Sequence, residues 1–192
     1  MNKLPTVWAH LHVTVQVCPF TFLREDKQLK KIGIVMGSDS DLPIIKKAVD
    51  TLKELNIPYE VHVYSAHRTP EQAREFAISA RERGFGAIIA AAGMAAHLAG
   101  AIAANTTLPV IGIPCKSNTL DGIDALLSTV QMPSGIPVAT VAINGGVNAA
   151  LLCAEILAVT DEELAGLLEE KRRSAALSVL EKDAGILEKL ND

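Results

Sequence analysis

Aromatic residues are scarce in this chain: Trp, Tyr and Phe together make up 4% of its 192 residues. A core without large rings has to be filled by Ala, Ile, Leu and Val. Positive charge is not in excess either. The formal net charge is −4 and the isoelectric point is near 5.7, which leaves no electrostatic footprint for DNA or RNA, although a few local cations could still hold one phosphate. The three cysteines, Cys18, Cys115 and Cys153, are odd in number and widely spaced. With no CxxC pair, they argue against a disulfide framework or a structural metal and fit a reducing cytoplasm. The signatures GxGxxG, GxxxxGK[ST] and GxSxG are all missing, so neither a dinucleotide fold, an ATP-cleaving phosphate loop nor a nucleophile elbow is indicated.

What is present is an ordinary globular balance, with 49% hydrophobic and 21% charged residues, in a length suited to one domain with a real core. Residues 1–29 stand apart. Their stretch "LPTVWAHLHVTVQVCPFTFL" holds the only tryptophan, Trp8, and then gives way to charge. Pro5, His10, His12 and Gln16 interrupt the apolar run, and no small-residue cleavage site follows, so it does not read as a signal peptide. It is also too polar for a membrane helix. It reads as a non-core extension outside the fold.

From Lys30 onward short β-branched runs alternate with stretches of helical spacing. Strands are expected at 31–36, 59–64, 86–92, 108–113 and 136–143, and helices at 42–55, 70–83, 95–105, 119–130 and 147–158. Strand–helix alternation implies right-handed crossovers and a parallel sheet covered on both faces. Five such units predict a flavodoxin-like three-layer α/β/α sandwich over 30–159. The apolar strands 86–92 and 108–113 suit central positions, and the alternating "YEVHVY" suits an edge. Beyond them, 160–192 reads as a long C-terminal helix with a leucine stripe, opened by a Thr160–Glu163 capping box. That helix either packs on its own domain or reaches a neighbouring subunit.

In such a sheet, ligands bind beyond the C-terminal strand ends. "GSDSD" (37–41) after the first strand offers backbone amides and the hydroxyls of Ser38 and Ser40 to a phosphate. Asp39 and Asp41 would repel a phosphate, but one of the two carboxylates is suited to ribose hydroxyls, and the stretch reads equally as a helix cap through Asp41 or Ser40. In "SAHRTP" (65–70), Ser65 and Thr69 suit capping and Pro70 the first helical turn. His67 and Arg68 have no such structural use: one is a proton carrier near neutral pH, the other a planar fork for oxyanions. His97 lies in the small-residue run "AAGMAAHLAG", where backbone can approach a ligand closely. His62 reads as a strand residue and Cys115 as a small buried hydrophobe. The third strand ends in Ala and Gly, without the Asp of a phosphoacceptor domain. A phosphorylated ligand handled by acid–base chemistry, with no metal and no cofactor, is what these loops leave.

The segments "VMGSDSDLP", "SAHRTPEQ", "AAHLAG" and "STVQMPSGIPVATVAI", in this order and spacing, resemble the N5-carboxyaminoimidazole ribonucleotide mutases, the PurE family of purine biosynthesis. The resemblance covers about residues 31 to 183. It implies a flavodoxin-like fold, a homo-octamer with C-terminal helices reaching across subunits, and transfer of a carboxylate from N5 to C4 of an aminoimidazole ribonucleotide without cofactor or metal. It further implies that Ser38, Asp41, Ser65 and Arg68 hold the phosphate and ribose, that His67 carries the proton, and that His97 lines the pocket. Gly37, Ser40, Ala66, Gly93 and Leu98 complete the expected substrate-binding set. Arg68 and His97 favour the mutase over the carboxylase variant of the family, which uses free CO2. A non-catalytic nucleotide- or flavin-binding module is the alternative from another class, and the loops lack the aromatic rings a flavin would stack on. The family usually has Gly and Pro where this chain has Met94 and Ala99.

Overall fold

The computed structural model describes residues 29–186 and 190. The expected extension therefore lies outside the described residues, except for Leu29, which packs against the core. Five strands follow in order: β1 (Lys31–Met36), β2 (Tyr59–Val63), β3 (Phe85–Gly93), β4 (Val110–Cys115) and β5 (Ala139–Thr140). They form one parallel sheet in the order β2-β1-β3-β4-β5. The chain thus moves outward from β1 to β2, then crosses back to β3 on the other side. That reversal opens a crevice at the C-terminal ends of β1 and β3.

Among the described residues there are six α-helices: α1 (Leu42–Glu54), α2 (Pro70–Ser79), α3 (Leu98–Ala103), α4 (Ile123–Val130), α5 (Gly146–Ala158) and α6 (Glu162–Ala184), the last packing on α5. One core cluster lies between the sheet and α1 and α5, built from Ile32, Ile34, Ile89, Ile111, Ile45, Leu52, Ala150 and Cys153 among others. The other lies under α2 and α3, with Val35, Ile88, Val110, Phe76, Leu98 and Ile102. Alternate residues of β1 and β3 feed opposite clusters, because side chains of a strand alternate between faces. The sandwich is therefore three-layered, as the alternation of elements predicts. α1 and α5 cross closely at Gly146, where a Cβ would strike the carbonyl of Ile44. The edge strand β2 covers its exposed flank with a polar hub: Glu60 accepts from Lys31, His62 and Arg83. His62 stacks on Tyr64 at 4.8 Å, a structural role as its strand position predicts.

Four local expectations fail for identifiable reasons. The fifth strand pairs with β4 only at Ala139 and Thr140, and Pro137 just before them cannot donate to the ladder. α3 begins at Leu98 rather than 95, because Met94 takes a left-handed φ of 56° and the next two residues form a tight turn. α4 begins at Ile123 because Asp121 and Gly122 are both left-handed, with φ of 52° and 92°. The cap of α6 is Asp161, whose carboxylate accepts from the Leu164 N–H at 2.9 Å, and not Thr160. No helix among the described residues is long and apolar enough to cross a membrane.

Candidate active site

The loops after β1, β2, β3 and β4 line one open cleft of about 690 Å³ at the C-terminal ends of the strands. Gly37, Ser38, Ser40, Asp41, Ser65, Ala66, His67, Arg68, Gly93, His97 and Leu98 all line it, so every residue singled out for binding or catalysis converges there. A larger, mostly apolar hollow of about 940 Å³ sits near the opposite strand ends, against Leu108, Ile136 and Pro137. It holds none of these residues.

The first wall is built by a tight turn. Ser38 is extended, with φ −153°, and its Oγ accepts from the Ser40 N–H at 3.3 Å, capping the 3₁₀ turn Asp39–Asp41. Ser38 Oγ also donates to Asp39 Oδ1 at 3.2 Å, which leaves Asp39 exposed and occupied locally. Asp41 makes no cap bond to α1, so the cap reading of that carboxylate fails. It is instead 9% exposed, and burial raises its pKa above 3.8, opposed by a hydrogen bond to the Cys115 side chain.

The second wall is pinned from within. Ser65 Oγ accepts from the N–H groups of His67 and Arg68 at 3.3 and 3.2 Å. Thr69 occupies the N-cap position of α2 but makes no cap bond. Its Oγ1 accepts from Ser65 N–H at 2.7 Å instead. Both hydroxyls therefore shape the "SAHRT" loop rather than a helix end. Arg68 reaches across to the first wall, where its Nη2 donates to the Gly37 carbonyl at 2.8 Å. One edge of its fork is thus anchored while the remaining N–H groups are free for an oxyanion.

The third loop brings His97 to His67, with ring centroids 6.1 Å apart and planes 24° from parallel. Nothing in their sequence spacing of thirty residues announces this pairing; it follows from adjacent loops at the strand-order switch. Gly93 lies close to β4, where a Cβ would come within 3.3 Å of the Cys115 carbonyl. Met94 holds a left-handed backbone that disfavours any side chain, and its side chain lies 66% exposed at the cavity mouth.

The fourth wall was legible only as a loop. Lys116, Ser117 and Asn118 also line the cavity, in the segment "PCKSNTLDG" that follows β4. The sign overlooked was a lysine at a strand end of a site expected to hold a phosphate. The arrangement combines paired imidazoles, a half-anchored guanidinium, capping hydroxyls and a buried carboxylate. It suits recognition of a phosphorylated small molecule with proton transfer at its centre.

The fold and site define a doubly wound α/β protein with a polar crevice at its strand-order switch. A family model described as AIR carboxylase matches residues 31–177, and the chain belongs to that family. It is 57% identical over 152 residues to the N5-carboxyaminoimidazole ribonucleotide mutase of Bacillus subtilis, covering 78% of this chain and 94% of the relative. The mutase of the same name from Thermotoga maritima is 52% identical over 154 residues, covering 80% and 90%. The crystal structure of Treponema denticola PurE superposes with a TM-score of 0.72 at 31% identity, over 80% of this chain and 96% of that one.

Proposed function

We propose that the protein converts N5-carboxyaminoimidazole ribonucleotide to 4-carboxyaminoimidazole ribonucleotide in purine (IMP) biosynthesis, an isomerase reaction. The observation that carries this is the convergence of His67, His97, Arg68, Ser38 and Asp41 on one cavity, in a chain more than half identical to two relatives of that name. In this reading the Ser38 and Asp39 amides of the first loop, together with the Ser38 and Ser40 side chains and Arg68, hold the phosphate, while Gly37, whose own N–H is bonded to the Ala91 carbonyl at 3.0 Å, brings the turn up against it. Asp41 accepts from the ribose hydroxyls, while Ser65 and Ala66 set the loop. Gly93 and Leu98 close the wall against which the ring lies beside His97.

The chemistry then needs little beyond containment and one proton carrier. As the N5–carboxyl bond breaks, its electron pair stays on nitrogen, which takes a proton from His67, and CO2 is released into the cavity. The nucleophilic C4 attacks that CO2, forming the new C–C bond. His67 then takes the C4 proton, which restores the aromatic ring and returns the histidine to its starting state. Holding CO2 beside C4 supplies the proximity advantage, and excluding water keeps CO2 from escaping.

The same reading extends to assembly and location. Residues 30–159 form the catalytic domain, and α6, in the 160–192 segment, docks on neighbouring subunits of a homo-octamer in the cytoplasm. The exposed Leu177 and Leu180 on α6 support an intersubunit role. Coupled turnover tests the activity. N5-carboxyaminoimidazole ribonucleotide is expected to be consumed rapidly at low bicarbonate, and strict dependence of the aminoimidazole ribonucleotide on bicarbonate would instead select the carboxylase reaction. His67→Asn is expected to bind the ribonucleotide normally and to lose at least about a hundredfold in turnover; near-normal turnover would remove His67 from its role.

A further inference from the structure

Lys116 is the cation of the cavity that the proposed reaction leaves without a task. It follows β4 directly, lines the same cavity as His67 and Arg68, and its backbone is fixed by an N–H bond to Asn144 Oδ1 at 2.9 Å. Its Nζ lies 2.9 Å from Asp121 Oδ1, in a pair whose side chains are 57% and 79% exposed. Exposed pairs of this kind are weak. Asp121 therefore parks the ammonium without locking it, so that a ligand oxyanion can displace it.

The position of Lys116 in the sheet decides which oxyanion that is. Arg68 follows β2 and Lys116 follows β4, and β1 and β3 lie between them. Because the Arg68 guanidinium is held on the Gly37 carbonyl at the end of β1, it stands two strand spacings from the end of β4, roughly 10 Å at the usual separation, and the two cations flank the crevice. Arg68 and the first loop occupy one flank, where the phosphate is placed. The proposed substrate carries a second anion, its carboxylate, at the other end of the molecule. Resting on that reading of the substrate, we infer that Lys116 binds the substrate carboxylate, with Asp121 as its counter-ion in the empty site.

This assignment has a kinetic signature. Substrate and product both carry a carboxylate, whereas the CO2 formed between them is uncharged. A cation on the carboxylate therefore contributes to binding of both ends of the reaction and does not favour the step between them. Lys116→Gln is expected to raise KM about tenfold, as for loss of one charge-assisted hydrogen bond, with kcat unchanged or slightly raised.

Calorimetric binding of two ligands to wild type, Lys116→Gln, Lys116→Arg and Asp121→Asn separates the outcomes. The product, 4-carboxyaminoimidazole ribonucleotide, has phosphate and carboxylate, and aminoimidazole ribonucleotide has the phosphate alone. Lys116→Gln is expected to weaken the first about tenfold and the second less than twofold. Lys116→Arg should keep most of the affinity, and Asp121→Asn should tighten the carboxylated ligand severalfold. Equal weakening of both ligands would put Lys116 on the phosphate and overturn the assignment, as would no weakening of either. Wild-type protein that binds neither ligand would overturn the proposed reaction and this inference with it.

Discussion

Asp41 and Cys115 meet at the foot of the cavity, where each alters the other. Burial raises the Asp41 pKa above its ordinary 3.8, with the Cys115 contact pulling the other way. The Cys115 thiol is pushed up to about 12, first by burial and then by the neighbouring carboxylate. It therefore stays protonated at neutral pH, with its Sγ donating to the Ile113 carbonyl at 3.6 Å, and is no nucleophile. A carboxylate with a raised folded pKa disfavours the fold whenever it is ionised. That cost is fully present above the folded pKa and disappears as pH falls below the unfolded value near 3.8. Asp41→Asn is accordingly expected to raise the melting temperature at pH 7, with the gain shrinking as pH approaches 4, while ribonucleotide affinity falls about tenfold. Calorimetric melts at both pH values, paired with binding measurements, check the two halves together.

Among the elements, the helix starts show how local chemistry and tertiary demand divide the work. α6 opens with acidic residues in its first turn and an Asp161 side chain bonded to the Leu164 N–H. Asp161→Ala should cost about 1 kcal/mol, which at this chain length lowers the melting temperature by roughly 3 °C. Thr160→Ala should leave it within experimental error. The starts of α1 and α2, in contrast, leave their N-cap positions without side-chain bonds. There the polar side chains bond within the loops or face the cavity, and Pro at the first helical positions supplies the preset φ. Helices that begin at the site are capped less well than α6, which begins away from it.

For the whole molecule, the two faces of the sheet are both covered, yet α6 is not fully used by its own chain. Leu164 is buried and Leu168 packs on the core, while Leu177, Val179 and Leu180 further along are exposed. A stripe of that kind on a helix extending from the domain calls for a partner. Replacing Leu177 and Leu180 together by Glu should leave the isolated domain folded and shift the protein to smaller species in sedimentation velocity. An unchanged sedimentation coefficient would remove α6 from the proposed assembly contact.

The amino-acid order alone determined the strand–helix alternation, the parallel three-layer architecture and the loops where chemistry had to sit. It did so because side-chain periodicity and turn residues act within a few positions of each other. "SAHRT" carried His67 and Arg68 in plain view, since neither residue had a structural use in a loop. What only the tertiary structure decided are relations between segments far apart in the chain. They include the 6.1 Å approach of His67 to His97, the bond from Arg68 to the Gly37 carbonyl and the Cys115–Asp41 contact. The entry of Lys116 into the cavity belongs with them. The strand order β2-β1-β3-β4-β5 brings those loops side by side, and strand–helix alternation, which sets crossover handedness and covers both faces, leaves that order to long-range packing.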